Sequence, residues 1–490
     1  MLYNRVGMKT RSGIVVALLI LAVLCVYLAT ITDGMPVQST DWAMYVMHAR
    51  NILSGRAYTD TGYIVQPETI YEGANSYPSG LPLLLVPVYA AVGFSVRAFK
   101  VVCEVALALS LWPIYLFGRR YLSAAGALLV VLATAFGSLY MGVHDSINSD
   151  SVYQLLSFGS IVLALWIYSS GRENWRWGLL VGLAFSAAYL TRPVGFALVL
   201  GAIAVDLFRR RRVAGCKWAH ICAVAGVFVV LVLVNGAIFH KDSAYQDQFI
   251  FSPVPVARHA LAYVTYFSYL FASPLGNAFR YAMWVPSMLL AGLGIWAGIR
   301  RNGLTLVEFY GTILLGVLCV YWVPNARYLL PLMPIFLVYI LMGAVTALAR
   351  VPQNYRAVLQ AAGVVLLLAA PAANLAHIRD GNRDTLIATP AFNQLVQQIE
   401  AVTGAHDYVI FWNPRVLALY TGRSSSPYPL AGPAGVQRFV DRVQPQYVVL
   451  DKDWEGDRQY LAPAIDSQAQ RYVTVFENSQ FRLDRVVGVP

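Results

Sequence analysis

The chain has 490 residues, of which 58% are hydrophobic and only 12% charged, with a formal net charge of +11. A soluble domain carries about 25% charged residues, so this composition rules out a soluble fold and indicates a polytopic helical membrane protein. The positive excess does not mark a nucleic-acid binder, because most of it sits in short loops between apolar runs, where it sets orientation.

Eleven apolar segments read as transmembrane spans: 13–31, 101–117, 124–143, 151–169, 177–190, 194–208, 218–239, 281–299, 304–323, 328–348 and 357–375. The first is too long for a signal-peptide core and is taken as a retained span. Segment 81–94 is apolar but short and contains Pro82 and Pro87, which suits a re-entrant or interfacial helix. With Arg5, Lys9 and Arg11 in the cytoplasm, the cytoplasmic turns carry Arg119, Arg120, Arg172, Arg176, Arg209, Arg210, Arg211, Arg212, Lys217, Arg300, Arg301, Arg350 and Arg356. The short outer turns carry only Arg192 and Arg327, which is the asymmetry expected of a cytoplasmic N-terminus. Five cysteines, Cys25, Cys103, Cys216, Cys222 and Cys319, show neither disulfide nor metal spacing.

Three long regions then face outward: 32–100, 240–280 and the tail after 376. The tail alternates helical patterns (390–402, 435–443) with strand patterns (408–411, 447–450, 472–476, 481–486), enough for a small α/β domain. The expected architecture is a polytopic α-helical membrane protein of about 11 transmembrane helices, with interfacial helices in the first outer loop and a small C-terminal α/β extracytoplasmic domain. The expected boundaries are a membrane domain over 1–376, including the outer loop 32–100, and an extracytoplasmic domain over 377–490.

Asp41 stands at the start of a helix in which Trp42, Tyr45, Val46, Ala49, Ile52 and Leu53 share one face, as in a helix lying in the membrane interface. An acid there is either a helix cap or a rigidly held reactive carboxylate. Asp150 precedes the fourth span on the same side and has the same two readings, with Asp145 as its competitor. Two such carboxylates can divide labour, one as general base and one orienting an acceptor or stabilising a cationic, sugar-like transition state. Arg192 and Arg327 are either headgroup anchors or anion-binding forks. Arg97, Lys100, Lys241, Arg258, His259 and Arg280 also face outward. Glu104 follows Lys100 by four residues and reads as its i,i+4 partner, and Glu308 is a second acid within an apolar run. No glycine-rich phosphate loop is present, so nucleotide chemistry has no support. The missing inverted repeat weighs against a secondary transporter.

Together these features resemble the GT-C glycosyltransferases, in particular the branch of protein O-mannosyltransferases and lipid A aminoarabinose transferases. The resemblance rests on Thr40-Asp41-Trp42, on Ser149-Asp150-Ser151, on Gly182-Leu183-Ala184 leading to Thr191-Arg192, on Val96-Arg97-Ala98, and on the run from Arg327 to Pro334. It departs from that branch in three places. A single acid stands in the first motif, Tyr77-Pro78 replaces Lys-Pro at the loop exit, and Arg192 replaces lysine.

The resemblance implies an integral membrane glycosyltransferase moving a sugar from a polyprenyl-phosphate-linked donor to a lipid, glycan or protein acceptor on the outer face, with inversion. Asp41 and Asp150 would be catalytic. Arg192, Arg327 and Arg97 would bind the donor phosphate, and Tyr77, Tyr45 and Arg258 would contact substrate. No metal ligand set and no cofactor is expected, with a divalent cation left open. Membrane lipids are expected partners and nucleic acid is not. The expected location is the cytoplasmic (inner) membrane, with the N-terminus cytoplasmic and the C-terminal domain periplasmic or extracellular. The competing reading is a lipid-linked sugar flippase or solute transporter that forms no glycosidic bond.

Overall fold

The computed structural model describes residues 10–36, 40–72, 77–210, 217–239, 249–379 and 386–488. Arg5, Lys9, Arg211, Arg212, Cys216 and Lys241 lie outside the described residues. The helices up to the third long outer region are α1 Thr10–Ala29, α2 Asp41–Ser54, α3 Gly80–Val92, α4 Val96–Tyr121, α5 Ala124–Ala135, α6 Ser138–Val143, α7 Ser149–Ser169 and α8 Trp175–Thr191. They continue with α9 Phe196–Arg210, α10 Trp218–Phe239, α11 Pro253–Tyr266, α12 Gly276–Asn302, α13 Leu306–Val320, α14 Met333–Leu348 and α15 Gln353–Ala376. The tail adds α16 Pro390–Val402, β1 Tyr408–Ile410, α17 Pro414–Thr421, β2 Ser424–Ser426, α18 Pro433–Val443, β3 Tyr447–Asp451, α19 Ala462–Ser467, β4 Tyr472–Glu477 and β5 Phe481–Val486.

The chain divides into two compact units that interleave along the sequence. The first comprises Met1–Ile31, Phe99–Ala237 and Gln248–Gly381; the second comprises Thr32–Ala98, Ile238–Asp247 and Asn382–Pro490. The first outer loop therefore belongs with the tail in one compact unit.

The first unit is a helical bundle around one apolar core. Among the described residues, seven helices are long and apolar enough to cross a membrane by length and composition, and shorter apolar helices fill several other expected spans. All eleven expected spans are largely helical, but three are not continuous α-helices, the sixth opening as the 3-10 turn Pro193–Gly195. The third breaks between α5 and α6 at Gly137, where a Cβ would meet the Ala133 carbonyl oxygen at 2.7 Å. The tenth opens as a 3-10 segment, Ala326–Leu332, because Pro331 lacks the N–H that an α-turn needs. The region 240–280, expected to be a loop, contains α11, which starts with proline at its first helical position. The tightest helix pair is α12 against α14. A Cβ on Gly294 would sit 1.9 Å from the Tyr339 carbonyl oxygen, and one on Gly343 would sit 1.8 Å from that of Leu290. Two small residues thus let the backbones meet, the usual means of helix association in lipid.

In the second unit, the five strands are ordered β2-β1-β3-β5-β4. β2, β1 and β3 run parallel, while β5 lies antiparallel to both β3 and β4. The parallel pairs require crossovers, supplied by α17 and α18. Ile410, Val448, Leu450, Val436 and Phe439 close the core beneath them. The first outer loop extends this sheet: Ser425 N–H donates to the Gly62 carbonyl at 2.8 Å, and Ile64 N–H to the Ser425 carbonyl at 2.9 Å. That covers an edge strand that would otherwise expose its backbone groups.

α2 is more deeply buried than a one-faced amphipathic pattern predicts. Trp42 through Ala49 are buried, together with Asn51. His48 explains part of this burial. Its Nδ1 lies 2.8 Å from the Tyr58 carbonyl oxygen, and its Nε2 accepts from Tyr77 N–H at 3.1 Å. One imidazole therefore ties the start of the loop to its exit.

Candidate active site

A carboxylate centre with arginine partners stands in each unit. In the second unit, α2 begins at Asp41 itself, with Thr40 in the cap position. The Asp41 carboxylate is therefore not the helix cap. Its Oδ1 accepts from the Tyr77 hydroxyl at 2.8 Å and pairs with Arg415 Nη1 at 3.2 Å. The same Nη1 donates to Thr40 Oγ1 at 3.1 Å. Arg415 is only 2% exposed, whereas the Asp41 side chain is 35% exposed. A buried guanidinium thus holds a partly exposed carboxylate. Tyr63 and Tyr77 present their rings to the Arg415 guanidinium at 4.7 and 5.4 Å, a cation–π cage that fixes its plane. Tyr45 is buried and packs edge-on against Tyr77 at 5.2 Å, so it supports Tyr77 and is not itself open to a ligand.

In the first unit, Asp150 occupies the first turn of α7, while Asn148 is the cap and accepts from Ser151 N–H. Asp150 is thereby free to make tertiary contacts, and two arginines reach it. Arg192, in the turn after α8, donates to Oδ1, and Arg327 Nε lies 3.4 Å from Oδ2. Two guanidiniums facing one carboxylate leave a net positive charge. Arg327 also lines a cavity of about 670 Å³ with Asn325, Tyr266, Tyr269, Ser138 and Asn374. Arg280 stacks on Tyr269 at 3.9 Å and donates to Ser268 Oγ at 2.8 Å, adding a cation behind that wall.

The turn that delivers Asp150 rests on a buried ionic shelf. Lys100 Nζ meets Asp145 Oδ1 at 2.8 Å, and both side chains are fully buried. Glu104 accepts from Asp145 N–H at 2.5 Å and pairs with His144 Nδ1 at 2.9 Å. His144 Nε2 in turn lies 2.9 Å from Thr30 Oγ1, just past the end of α1. The expected Lys100–Glu104 helical pair is thus replaced by two cross-helix pairs. Each buried charge needs a direct partner, because leaving one unpaired costs several kcal/mol. Asp145 adopts a left-handed φ of 55°, a conformation that aspartate tolerates better than most residues.

The other expected contacts fall elsewhere. Arg97 is exposed and faces Asp33 at 3.7 Å. Arg258 is exposed on α11. Arg415 was not anticipated from sequence, nor was the pairing of the shelf. One signal for Arg415 existed: it follows the C-terminal end of a parallel strand, where α/β sheets place their ligand-contacting loops. Among the described residues, no three His, Cys, Asp or Glu side chains cluster as a metal-binding set.

Residues 78–235 match the family of dolichyl-phosphate-mannose-protein mannosyltransferases. No curated protein matches the chain by sequence. The fold matches that of ArnT from Cupriavidus metallidurans bound to undecaprenyl phosphate at TM-score 0.59 and 13% identity, covering 96% of this chain and 98% of that one. It also matches the Archaeoglobus fulgidus oligosaccharyltransferase tethered with an acceptor peptide, at TM-score 0.57 and 10% identity, covering 95% and 73%. The mycobacterial arabinofuranosyltransferase AftD matches at TM-score 0.55 and 14% identity, covering 96% of this chain and 40% of that one.

Proposed function

We infer that this chain is a GT-C-type membrane glycosyltransferase, a reading supported by the family match over residues 78–235 and the shared fold: it transfers a sugar from a polyprenyl-phosphate-linked donor to a lipid, glycan or protein hydroxyl, with inversion. The observation that carries this reading is the convergence of Arg192 and Arg327 on Asp150 beside a tyrosine-lined cavity. Guanidinium forks match phosphate oxygens, and Asp150 holds them in place until an anion arrives. Asp41 takes the acceptor hydroxyl proton as the oxygen bonds to the anomeric carbon. The bond from that carbon to the phosphate oxygen breaks, and its electron pair leaves on the phosphate. A phosphate leaves without being protonated, so a carboxylate, though a weak base, suffices. The developing charge falls on Arg192 and Arg327, where preorganised cations are most effective.

The tail would help bind or orient the acceptor. The enzyme is assigned to a bacterial cytoplasmic membrane with its N-terminus inside. Arg172 stacks on Trp166 at 4.9 Å and Arg300 on Trp296 at 4.4 Å. Such Arg–Trp pairs suit the cytoplasmic interface.

The deciding experiment is incorporation of labelled sugar from polyprenyl-phosphate-linked donors, mannose first, by purified protein. Wild type should transfer, and Asp41→Asn should lose roughly 10²–10⁴-fold in rate. Near-normal transfer by a folded Asp41→Asn protein would remove the base assignment. Vesicle flux without any glycosidic product would return the transporter reading.

A further inference from the structure

Away from both carboxylate centres, the bundle contains a second and larger cavity. It is a slot of about 1140 Å³ between the start of α5 and helices α12, α14 and α15. Its walls are apolar along most of their length, with Leu129, Met283, Leu290, Leu341, Leu366 and Leu367 among them. None of its lining residues belongs to the cavity beside Asp150.

One end of the slot differs from the rest. Arg301, at the end of α12, and Arg350, just after α14, stand there with Tyr121 and Ser123. Both arginines are exposed, and among the described residues neither makes an ion pair. Glu308, the acid that follows Arg301 in sequence, is already engaged by Thr305 and the Tyr339 hydroxyl. The slot thus has a cationic mouth, with no acidic side chain among its described lining residues, and an apolar length running between helices long enough to cross a membrane.

The mouth lies at the end of the bundle away from Asp150. Lys100, at the start of α4, bonds to Asp145 in the turn that precedes Asp150. Tyr121 closes the same helix 21 residues later, about 32 Å further along at the usual rise. A ligand seated on Arg301 and Arg350 is therefore not held by Arg192 and Arg327.

We propose that this slot binds an anionic phospholipid, its phosphate at Arg301 and Arg350 and an acyl chain along the apolar walls. Basic mouths between membrane helices attract anionic headgroups by this combination of charge and apolar contact. A zwitterionic lipid would bring its own ammonium against two unpaired guanidiniums and gain less. Gly363 gives a second handle. It lines the slot, and a Cβ there would meet nothing within 4 Å. A large side chain at this position can enter the slot without disturbing the helix packing.

The test uses the full chain purified in a neutral detergent, with bound lipid read by native mass spectrometry. Phosphatidylglycerol and phosphatidylcholine of identical acyl chains are compared. Wild type should retain phosphatidylglycerol in preference to phosphatidylcholine. Arg301→Gln with Arg350→Gln should weaken phosphatidylglycerol by about thirtyfold, the worth of two interfacial cations, and leave phosphatidylcholine little changed. Gly363→Phe should reduce both, because it occupies the acyl path. Asp41→Asn should bind as wild type does, whatever its effect on sugar transfer. Equal retention of the two lipids by wild type would overturn the proposal, as would undiminished phosphatidylglycerol in either slot variant. Displacement of phosphatidylglycerol by an equal concentration of polyprenyl phosphate would overturn it as well, and would assign the slot to the isoprenoid instead.

Discussion

Asp41 and Arg415 lie 374 positions apart in sequence, yet one nitrogen of the guanidinium serves both the carboxylate and its neighbour Thr40. An adjacent guanidinium favours the ionised form of a carboxylate. For a general base this keeps the reactive form populated as pH falls. Replacing Arg415 with glutamine should therefore move the acid limb of the kcat/KM profile to higher pH. It should also lower transfer roughly ten- to hundredfold, the usual worth of a hydrogen bond to a charged group. An unmoved acid limb in a folded variant would show that the pair acts through structure alone. A different electrostatic logic applies at Asp457, at the edge of the tail sheet. Burial pushes this carboxyl up to about 8, against which the hydrogen bonds from Tyr428 and from Asp451 N–H act in the opposite sense. A group whose folded-state value is raised stabilises the fold fully below its unfolded value near 3.8, and that contribution is lost as pH climbs through about 8. Hydrogen-exchange protection of β3, corrected for intrinsic exchange, should decline across that window in wild type. Asp457→Asn, which cannot ionise, should flatten the decline.

The contact between α12 and α14 depends on what is missing from two residues. Gly294 and Gly343 each face a backbone carbonyl closer than any Cβ could stand. Gly343→Leu should force the helices apart and cost stability in the overpacking range of about 1–3 kcal/mol or more. Thermal unfolding in detergent would measure it against Gly292→Ala, where an added Cβ meets nothing within 4 Å. Neither glycine stood out in the sequence, because an apolar run with scattered glycines reads the same whether they face lipid or another helix. What could be read was anything charged beside an apolar segment: Asp41, Asp150, Arg192 and Arg327 were identifiable because ions at membrane boundaries are uncommon and expensive to misplace. Arg415 was hidden because an arginine in a polar, soluble-like tail is ordinary. β2 was hidden too. Its Ser-Ser-Ser sequence has no strand propensity, and it is a strand because β1 and the Gly62–Ile64 backbone bond to it from both sides. The shelf was misread as a helical pair because spacing alone cannot see the turn at His144 and Asp145 that supplies each charge with a nearer partner.

Charge along the chain also carries an orientation that no single helix fixes. Arg119 and Arg120 close α4, Arg300 and Arg301 close α12, and the connection between α14 and α15 contains Arg350. The opposite turns hold Arg192 and Arg327, both committed to Asp150. Arginines spent on a carboxylate contribute little to headgroup attraction, so the effective asymmetry exceeds the raw count. On the proposed orientation, the turn after α7 is cytoplasmic and the tail is outside. That arrangement suits the chemistry, since a lipid-linked donor is consumed where no nucleotide is needed. The test begins from a chain in which the five native cysteines are replaced by serine. Asp453→Cys in the tail and Ser170→Cys after α7 both introduce thiols at exposed positions. An impermeant maleimide added to intact bacterial spheroplasts should label the tail variant and leave the Ser170→Cys variant unmodified until the membrane is opened. The reverse pattern would invert the bundle and turn the Asp150 centre toward the cytoplasm, where the proposed donor would have to be presented on the opposite leaflet.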